Sequence, residues 1–304
     1  MKLKTKNLLT LGELSQKEFS QLIDYSIKLK KELKKGSNKP LLKNKTLTMI
    51  FQKPSTRTRV SFEIGMLQLG GGAINLSSND MQLSRGESVE DTAKTLSRYT
   101  DCIMARVYDH ELLENLAQHS SIPVINGLSD TFHPCQILAD FMTIKEKKKK
   151  LKGLKLAWIG DGNNVCNSMI YGCALSQMKM SIATPKGFEP SSKVVKEGKS
   201  STQIELTSDP QKAIKNADIV VTDTFSSIHN TDPKRNKKFL PKYQVNSKLM
   251  KLAKKDAIFM HCLPAKRGSE VTSEVIDGPQ SVVWDEAENR LHSQKALLVF
   301  LINA

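Results

Sequence analysis

Residues 154–165 read LKLAWIGDGNNV, a short apolar run that ends in glycine and is followed by polar residues. The run is typical of a buried β-strand, because it is short and a glycine bounds its carboxyl end. A helical pattern begins at Val165, so the stretch predicts a strand, a tight loop and a helix. Repeated units of this kind build α/β domains.

The same alternation of strand and helix continues in both directions along the chain. We therefore predict an α/β fold with two domains, each a mainly parallel sheet flanked by helices. The predicted strands are residues 47–51, 73–76, 102–105, 123–126, 154–159, 180–183, 202–206, 218–222, 257–260 and 281–284.

A lysine-rich run at 145–150 marks the predicted junction between the two domains. The pattern of the final helix, 288–301, would allow it to complete either domain. We expect it to pack back on the first domain. The predicted first domain then comprises residues 1–147 with 288–304, and the predicted second domain comprises residues 148–287.

The composition excludes several classes of protein. Of the 304 residues, 39% are hydrophobic, which is too many for a disordered chain, and the formal net charge is +15. The charge suggests nucleic-acid binding, but no helix-turn-helix, zinc-finger or RNP-type motif accompanies it, and aromatic residues make up only 6%. We interpret the charge as solvated lysines, or as attraction for an anionic small substrate.

Cysteine usage and hydropathy indicate the compartment. The five cysteines are scattered and form no Cys-x-x-Cys pair, which argues against a disulfide framework or a zinc ribbon. No apolar run reaches the roughly 18–20 residues of a membrane span. We expect a cytoplasmic protein.

Polar and basic residues follow the first predicted strand. Residues 52–59 read QKPSTRTR and precede a helix, which places three hydroxyls and two guanidiniums at a helix N-terminus. The N–H groups there bind anions, and arginine adds bidentate hydrogen bonds to phosphate oxygens. An N-cap by Ser55 would need one hydroxyl, so the cluster favours a phosphate site over a cap alone.

The third and fourth predicted strands end near a second group of polar side chains. Arg106 follows strand 102–105, and His133 and Gln136 come after strand 123–126. An imidazole and an amide held at a helix start could polarise a carbonyl oxygen. We interpret Cys135 as packing, and no further residue at ligand spacing supports a metal site here.

In the predicted second domain, residues 160–165 half-resemble the dinucleotide motif G-x-G-x-x-G, but Val165 replaces the third glycine. The asparagine pair there suits an amino-acid backbone better. Asp223 follows strand 218–222, and Cys262 follows strand 257–260. His261 is badly placed as a base for Cys262, because adjacent residues of a strand point to opposite faces, so a hydrogen-bonding thiol is the better interpretation.

In their order along the chain, these segments resemble the aspartate/ornithine carbamoyltransferase family, and its ornithine-specific members in particular. Aspartate-specific members carry a proline where this chain has Cys262. The matching segments are Ser55–Thr58, Gln82, Arg106, His133–Gln136, Gly162–Asn164, Asp223, His261–Pro264 and Glu288–Arg290.

The resemblance implies transfer of the carbamoyl group from carbamoyl phosphate to the side-chain amine of L-ornithine, giving L-citrulline and phosphate in arginine biosynthesis or a urea-cycle-type step. The implied catalytic residues are Arg106, His133 and Cys262. The implied carbamoyl-phosphate contacts are Ser55, Thr56, Arg57, Thr58, Gln82, Arg106, His133, Pro134, Cys135, Gln136, Cys262, Leu263 and Arg290. The implied ornithine contacts are Asn164, Asp223, Ser227 and Ile228.

The resemblance also implies no cofactor and no metal, and a homotrimer, or a multiple of one, in which Gln82 reaches a neighbouring active site. One loop departs from the family. The usual Asp-x-x-x-Ser-Met-Gly reads DTFSSIH at residues 223–229, with Ile228 for methionine and His229 for glycine. The acceptor is therefore open to an alternative, a carbamoyltransferase for putrescine or an acylated ornithine.

Overall fold

The computed structural model describes residues 3–77, 81–225 and 235–303. Its internal contacts divide the chain into two compact units, Met1–Met142 with Asn289–Ala304, and Thr143–Glu288. Each unit contains a parallel sheet flanked by helices, so the predicted fold class is confirmed.

The sheet of the first unit brings three candidate loops to one edge. Among the described residues its strands pair in the order β2-β1-β3-β4, each pair parallel. The chain passes from β1 to β2 on one side of β1 and then to β3 on its other side. The position between β1 and β3 is therefore a topological switch point, where open α/β sheets bind ligands. The strands are β1 (Thr46–Phe51), β2 (Gly72–Ser77), β3 (Cys102–Arg106) and β4 (Val124–Leu128).

Local sequence sets where the helices of this unit begin. The Ser15 hydroxyl accepts the Glu18 N–H at 3.3 Å, and the Glu18 carboxylate accepts the Ser15 N–H at 2.9 Å, a capping box that starts the first helix. The helices are α1 (Gln16–Lys34), α2 (Thr56–Gln68), α3 (Val89–Tyr99), α4 (His110–His119) and α5 (Pro134–Lys148), the last of which continues into the second unit.

The second unit repeats this design. Among the described residues its strands pair in the order β7-β6-β5-β8-β9, each pair parallel, with the switch point between β5 and β8. The strands are β5 (Lys155–Ile159), β6 (Lys179–Ala183), β7 (Ile204–Thr207), β8 (Ile219–Val221) and β9 (Ile258–Met260). The helices are α6 (Asn164–Ser176), α7 (Ser192–Lys199), α8 (Pro210–Ile214), α9 (Asn236–Phe239), α10 (Ser247–Met250), α11 (Ser273–Ile276) and α12 (Val283–Ile302).

The carboxyl-terminal part of α12 belongs to the first unit, as we expected. The Phe300 ring lies 5.4 Å from the Tyr25 ring of α1, centroid to centroid. The Lys295 ammonium donates to the Gln68 side chain of α2 at 2.9 Å. Helix α12 therefore carries its side chains, Arg290 among them, onto the first unit.

Residues 281–284 do not form the predicted strand. Helix α12 begins at Val283, and an isolated bridge between Ser281 and Phe259 is the pairing found there. Two adjacent valines favour a strand by their β-branching. The acidic residues that follow, beginning with Asp285, stabilise the positive end of a helix dipole instead.

Every helix in the described part of the chain is too short or too polar to traverse a lipid bilayer.

Candidate active site

The loop after β1 forms a helix N-terminus of the kind that binds anions. The Ser55 hydroxyl caps α2 by accepting the Thr58 N–H at 3.3 Å. Thr56 is exposed and Arg57 is half-buried, whereas Thr58 is buried. The first turn thus presents backbone N–H groups, hydroxyls and a guanidinium at the carboxyl end of a central strand.

Two arginines from distant parts of the chain converge on Thr58. The Thr58 hydroxyl accepts from the Arg106 guanidinium at 3.5 Å and from the Arg290 guanidinium at 3.2 Å. Arg290 also donates to the Gln136 side-chain oxygen at 2.7 Å. We call Thr58, Arg106, Gln136 and Arg290 the Thr58 cluster; all four side chains are buried.

Further hydrogen bonds hold the Thr58 cluster in one arrangement. The Gln136 amide nitrogen donates to the Asp140 carboxylate at 2.8 Å, which fixes which way the amide points. The Arg290 Nε donates to Gln294 at 2.9 Å, and Gln294 donates to the Ser61 hydroxyl at 2.7 Å. A buried network held by hydrogen bonds in this way presents its donors with little reorganisation when a substrate binds.

His133 is a neutral imidazole at physiological pH. Burial is the main cause that holds its pKa well below the usual value, and the positive charges of Arg290, Arg106 and Arg57 lower it further. A neutral ring carries one N–H donor and one acceptor nitrogen. His133 can therefore donate a hydrogen bond to a carbonyl oxygen without adding charge.

The remaining residues predicted for carbamoyl phosphate are placed as follows. Pro134 opens α5, and the buried Cys135 thiol donates to the Asn126 carbonyl at 3.3 Å. Burial raises the pKa of Cys135 to about 12, so its thiol is protonated and unreactive. Gln82 is exposed at the start of a 3-10 helix, Gln82–Arg85.

Sequence reasoning missed Lys53. Its ammonium lies 3.6 Å from the centroid of the Tyr108 ring, and only 3% of the residue is exposed. Burial is the main cause that lowers its pKa to about 8, Arg106 lowers it further, and Asp130 opposes both. In the sequence, Lys53 could have been selected as a candidate only from its position in the loop between β1 and α2.

In the second unit, three side chains meet at the carboxyl ends of β5, β8 and β9. The Asp223 carboxylate accepts from the Asn163 amide at 2.7 Å and from the Cys262 thiol at 3.2 Å. It also accepts the Thr224 N–H at 2.7 Å. We call Asp223, Asn163 and Cys262 the Asp223 cluster.

The structure gives the two asparagines of the β5 loop different partners. The Asn163 side-chain oxygen caps α6 by accepting the N–H groups of Val165 and Cys166, while its nitrogen reaches Asp223. The buried Asn164 accepts the Val165 N–H at 3.0 Å. The asparagine in contact with Asp223 is therefore Asn163, and the ornithine contact of Asn164 stays a prediction.

Two predicted ornithine contacts, Ser227 and Ile228, lie outside the described residues, as does the divergent His229.

His261 serves the backbone of its loop and not the neighbouring thiol. Its ring is fully buried, and its Nε2 lies 3.1 Å from a Glu270 carboxylate oxygen. Its Nδ1 accepts the Leu263 N–H at 2.9 Å, so the ring proton is on Nε2 and points to Glu270. Leu263 has a φ of 57°, a left-handed conformation that is uncommon for leucine and is held by this bond.

Asp223, His261 and Cys262 also offer atoms that could meet one metal ion, since their ligand atoms lie within 4.8 Å of one another. Both ring nitrogens of His261 are already engaged by Glu270 and Leu263. Binding an ion there would break one of those hydrogen bonds, so the present arrangement suits a hydrogen-bonding site better.

The β5 loop does not have the features of a dinucleotide site. A Cβ on Gly162 would lie 2.2 Å from the backbone nitrogen of Pro190, so this glycine allows two backbone segments to approach each other. The Gly162 N–H donates to the Phe188 carbonyl at 2.8 Å. Val165 occupies the position of the third glycine of the motif and is buried.

The two units, each with a cluster of polar side chains at the carboxyl ends of its strands, are matched by two models from one family of transferases. Residues 6–146 match the model "Aspartate/ornithine carbamoyltransferase, carbamoyl-P binding domain". Residues 152–301 match the model "Aspartate/ornithine carbamoyltransferase, Asp/Orn binding domain". The chain belongs to the aspartate/ornithine carbamoyltransferase family.

Individual relatives are similar over nearly the whole length. A Cenarchaeum symbiosum protein named ornithine carbamoyltransferase is 62% identical over 301 residues, covering 99% of both chains. The solved ornithine carbamoyltransferase of Pyrococcus furiosus is 50% identical, with a TM-score of 0.94 over 98% of this chain and 97% of that one. The anabolic enzyme of Campylobacter jejuni is 42% identical, with a TM-score of 0.92 over 98% of this chain and 99% of that one.

Proposed function

We propose that this chain is an ornithine carbamoyltransferase, an enzyme that transfers the carbamoyl group of carbamoyl phosphate to the side-chain amine of L-ornithine. The products are L-citrulline and phosphate. We further propose that it works in the biosynthetic direction, toward arginine, like the Campylobacter jejuni relative described as anabolic. Family membership restricts the acceptor to a small set of amines, and the Asp223 cluster selects among them.

The contacts of Asp223 favour an acceptor that carries an ammonium group. Within the described residues, its carboxylate is contacted by an amide, a backbone N–H and a thiol, and by no positively charged group. The carboxylate therefore keeps its negative charge available for an ammonium group of the substrate. Aspartate would bring a second carboxylate against it and be repelled, whereas ornithine brings its α-ammonium group while its side-chain amine reacts in the neutral form.

The Thr58 cluster and the cap of α2 suit carbamoyl phosphate. The phosphate would bind at the α2 N-terminus, with Ser55, Thr56, Arg57 and Thr58 as donors. Arg106 and neutral His133 would donate to the carbamoyl oxygen, where negative charge develops as the amine attacks. Gln136 and Arg290 would complete the contacts to the carbamoyl group.

The chemistry is a direct acyl transfer. The neutral side-chain amine attacks the carbamoyl carbon, a C–N bond forms, and the C–O bond to phosphate breaks. A free alkylamine has a pKa near that of lysine, about 10.4, so the site must favour the neutral form. The departing phosphate can accept the proton that the amine loses. We propose that Cys262 lies near this amine and that Cys262 and Leu263 also contact the carbamoyl group.

The alternative function is a carbamoyltransferase for another amine, such as putrescine or an acylated ornithine. It stays open because Ile228 and His229 replace the methionine and glycine of the family loop. A colorimetric ureido-product assay with ornithine, putrescine, lysine, aspartate and N-acetylornithine separates the possibilities. We expect kcat/KM for ornithine to exceed that for putrescine, which lacks the α-carboxylate, and that for N-acetylornithine, which lacks the α-ammonium, by about 10- to 150-fold, the value of one lost charge-assisted contact. A higher value for putrescine or N-acetylornithine would refute ornithine as the acceptor.

We also propose that the enzyme is a cytoplasmic homotrimer, or a multiple of one. Apolar side chains lie exposed on α2 and on the edge strand β2; Val60 is 51%, Leu67 68% and Ile74 53% exposed. Exposed apolar side chains grouped on two adjacent elements are typical of an interface between proteins. Gln82, exposed on its 3-10 helix, would then complete the carbamoyl-phosphate site of a neighbouring subunit.

A further inference from the structure

A largely buried ion pair beside the Asp223 cluster has no role in the chemistry above. The Arg235 guanidinium contacts the Asp161 carboxylate, and their side chains are 15% and 12% exposed. The Nε of Arg235 also donates to the Phe225 carbonyl at 2.8 Å. One guanidinium thus joins the loop that follows β5 to the loop that follows β8.

Aromatic rings fix the plane of this guanidinium. Its central carbon lies 4.6 Å from the Phe188 ring centroid and 5.6 Å from that of Phe239. Phe239 is stacked on Phe225 with centroids 4.5 Å apart. A planar guanidinium suits such contacts and donates in a fixed fork, which a lysine ammonium cannot reproduce.

The two joined loops carry the candidate amine-binding groups. Asp161 is two residues before Asn163, and Phe225 is two residues after Asp223. Asn163 and Asp223 are themselves hydrogen-bonded at 2.7 Å. The spacing of these two side chains therefore depends on two links, their own hydrogen bond and the guanidinium of Arg235.

The Asp161 end of this arrangement is itself held firmly. The buried Trp158 indole donates to the Asp161 carbonyl at 2.9 Å, so the backbone of this residue is fixed to β5. Burial raises the pKa of Asp161 to about 6, and Arg235 opposes that rise. At neutral pH the carboxylate is ionised and Arg235 is its counter-charge.

We propose that Arg235 is a positioning residue for the amine acceptor, which holds the Asn163 and Asp223 side chains at the separation that the substrate requires. The inference rests on the proposed function and adds a residue to it. Loss of the guanidinium would let the β5 and β8 loops move relative to each other, and misplacement of binding groups by about 1 Å can cost on the order of 100-fold in rate. The Thr58 cluster, in the other unit, would keep its geometry.

Arg235→Ala and Arg235→Lys test the inference in the full-length protein, with kcat and KM measured separately for ornithine and for carbamoyl phosphate. We expect Arg235→Ala to lower kcat/KM for ornithine by about 10- to 100-fold, mainly through KM, with the KM for carbamoyl phosphate within about twofold of wild type. Arg235→Lys keeps the charge without the fork and should recover little of the loss. Millimolar guanidinium should restore activity to Arg235→Ala, and methylammonium should not.

Arg267→Ala is the matched control. Arg267 forms a bidentate pair with Asp277 in the same unit, but the two side chains are 44% and 49% exposed. Its loss should leave both KM values unchanged. Circular dichroism would verify that each variant is folded, and Arg235→Lys remains informative if Arg235→Ala is not.

The outcomes separate this inference from the proposed function. An active wild type whose folded Arg235 variants keep the wild-type KM for ornithine would overturn the positioning role alone. An equal loss for both substrates, without rescue by guanidinium, would mean a purely structural role and would also overturn it. A wild type that makes no citrulline would overturn the proposed function, and the acceptor-positioning role with it.

Discussion

Asp223→Asn is the substitution that most sharply tests how the acceptor is recognised. It keeps the size of the side chain and removes its negative charge. Two donors, the Asn163 amide at 2.7 Å and the Cys262 thiol at 3.2 Å, point at the two carboxylate oxygens. An amide offers one oxygen, so its own NH₂ would face one of these donors as well as the substrate ammonium.

The expected magnitude follows from these contacts. A hydrogen bond between charged groups contributes about 1.5–3 kcal/mol, and each 1.4 kcal/mol corresponds to a factor of ten. Loss of one such bond to the ornithine ammonium should therefore lower kcat/KM for ornithine by about 10- to 150-fold. The KM for carbamoyl phosphate should change much less, because the proposed phosphate contacts lie in the other unit.

The assay is citrulline formation at saturating carbamoyl phosphate with ornithine varied over its KM. Asp277→Asn is the matched control, since this carboxylate lies in the same unit and pairs with Arg267 at 49% side-chain exposure. The control should retain wild-type values. A folded Asp223→Asn protein within twofold of wild type for ornithine would refute the role given to the carboxylate.

Three further predictions concern the first unit. Arg57→Gln should raise the KM for carbamoyl phosphate, measured by steady-state kinetics, by about 10- to 150-fold through loss of a charge-assisted bond to phosphate. Arg59 is exposed and lies 3.7 Å from Glu63, so Arg59→Gln is the control and should leave this KM unchanged. Folding lowers the pKa of His133, so below about pH 6.5 the unfolded chain binds a proton that the folded chain does not. The free energy of unfolding of the wild type should therefore fall relative to that of His133→Gln, by up to about 1.4 kcal/mol per pH unit, in urea titrations from pH 5 to 8. A difference between the two proteins that stays constant with pH would contradict this. Leu67→Gln should reduce the mass measured by light scattering below that of a trimer, while Leu252→Gln, in the other unit, should not; an unchanged mass for Leu67→Gln would argue against the α2 interface.

The strands could be predicted from sequence because each is a short apolar run with a turn signal after it. The run LKLAWI contains β5, which the structure places at Lys155–Ile159. Because all these strands are parallel, their carboxyl ends share an edge, and the loops that follow carry the ligand groups. Thr58, Arg106 and Asp223 could thus be assigned to two sites before any distance was known.

Interactions between distant residues limited the prediction elsewhere. Adjacent valines at 282–283 suggest a strand, but helix α12 begins at Val283, and its start is decided by contacts and by the acidic first turn. In the Asn163-Asn164 pair, composition cannot tell which residue caps α6 and reaches Asp223. The Arg235–Asp161 pair joins residues 74 positions apart, and local sequence patterns do not predict contacts at that separation.

The helix α2 shows a third limit. Val60, Ile64 and Leu67 repeat at helical spacing, and the helix forms as Thr56–Gln68. Spacing alone identifies a helix with an apolar face but does not say what covers that face. In the single chain the three side chains are exposed, as the proposed α2 interface requires.

The central claim is that carbamoyl phosphate and ornithine react together on this chain. The most direct measurement is ¹³C and ³¹P NMR of purified protein with carbonyl-labelled carbamoyl phosphate and L-ornithine. We predict that labelled citrulline and phosphate appear at equal rates, each equal to the loss of carbamoyl phosphate in excess of its spontaneous decay. Phosphate release without labelled citrulline, or decay no faster than without protein, would contradict it.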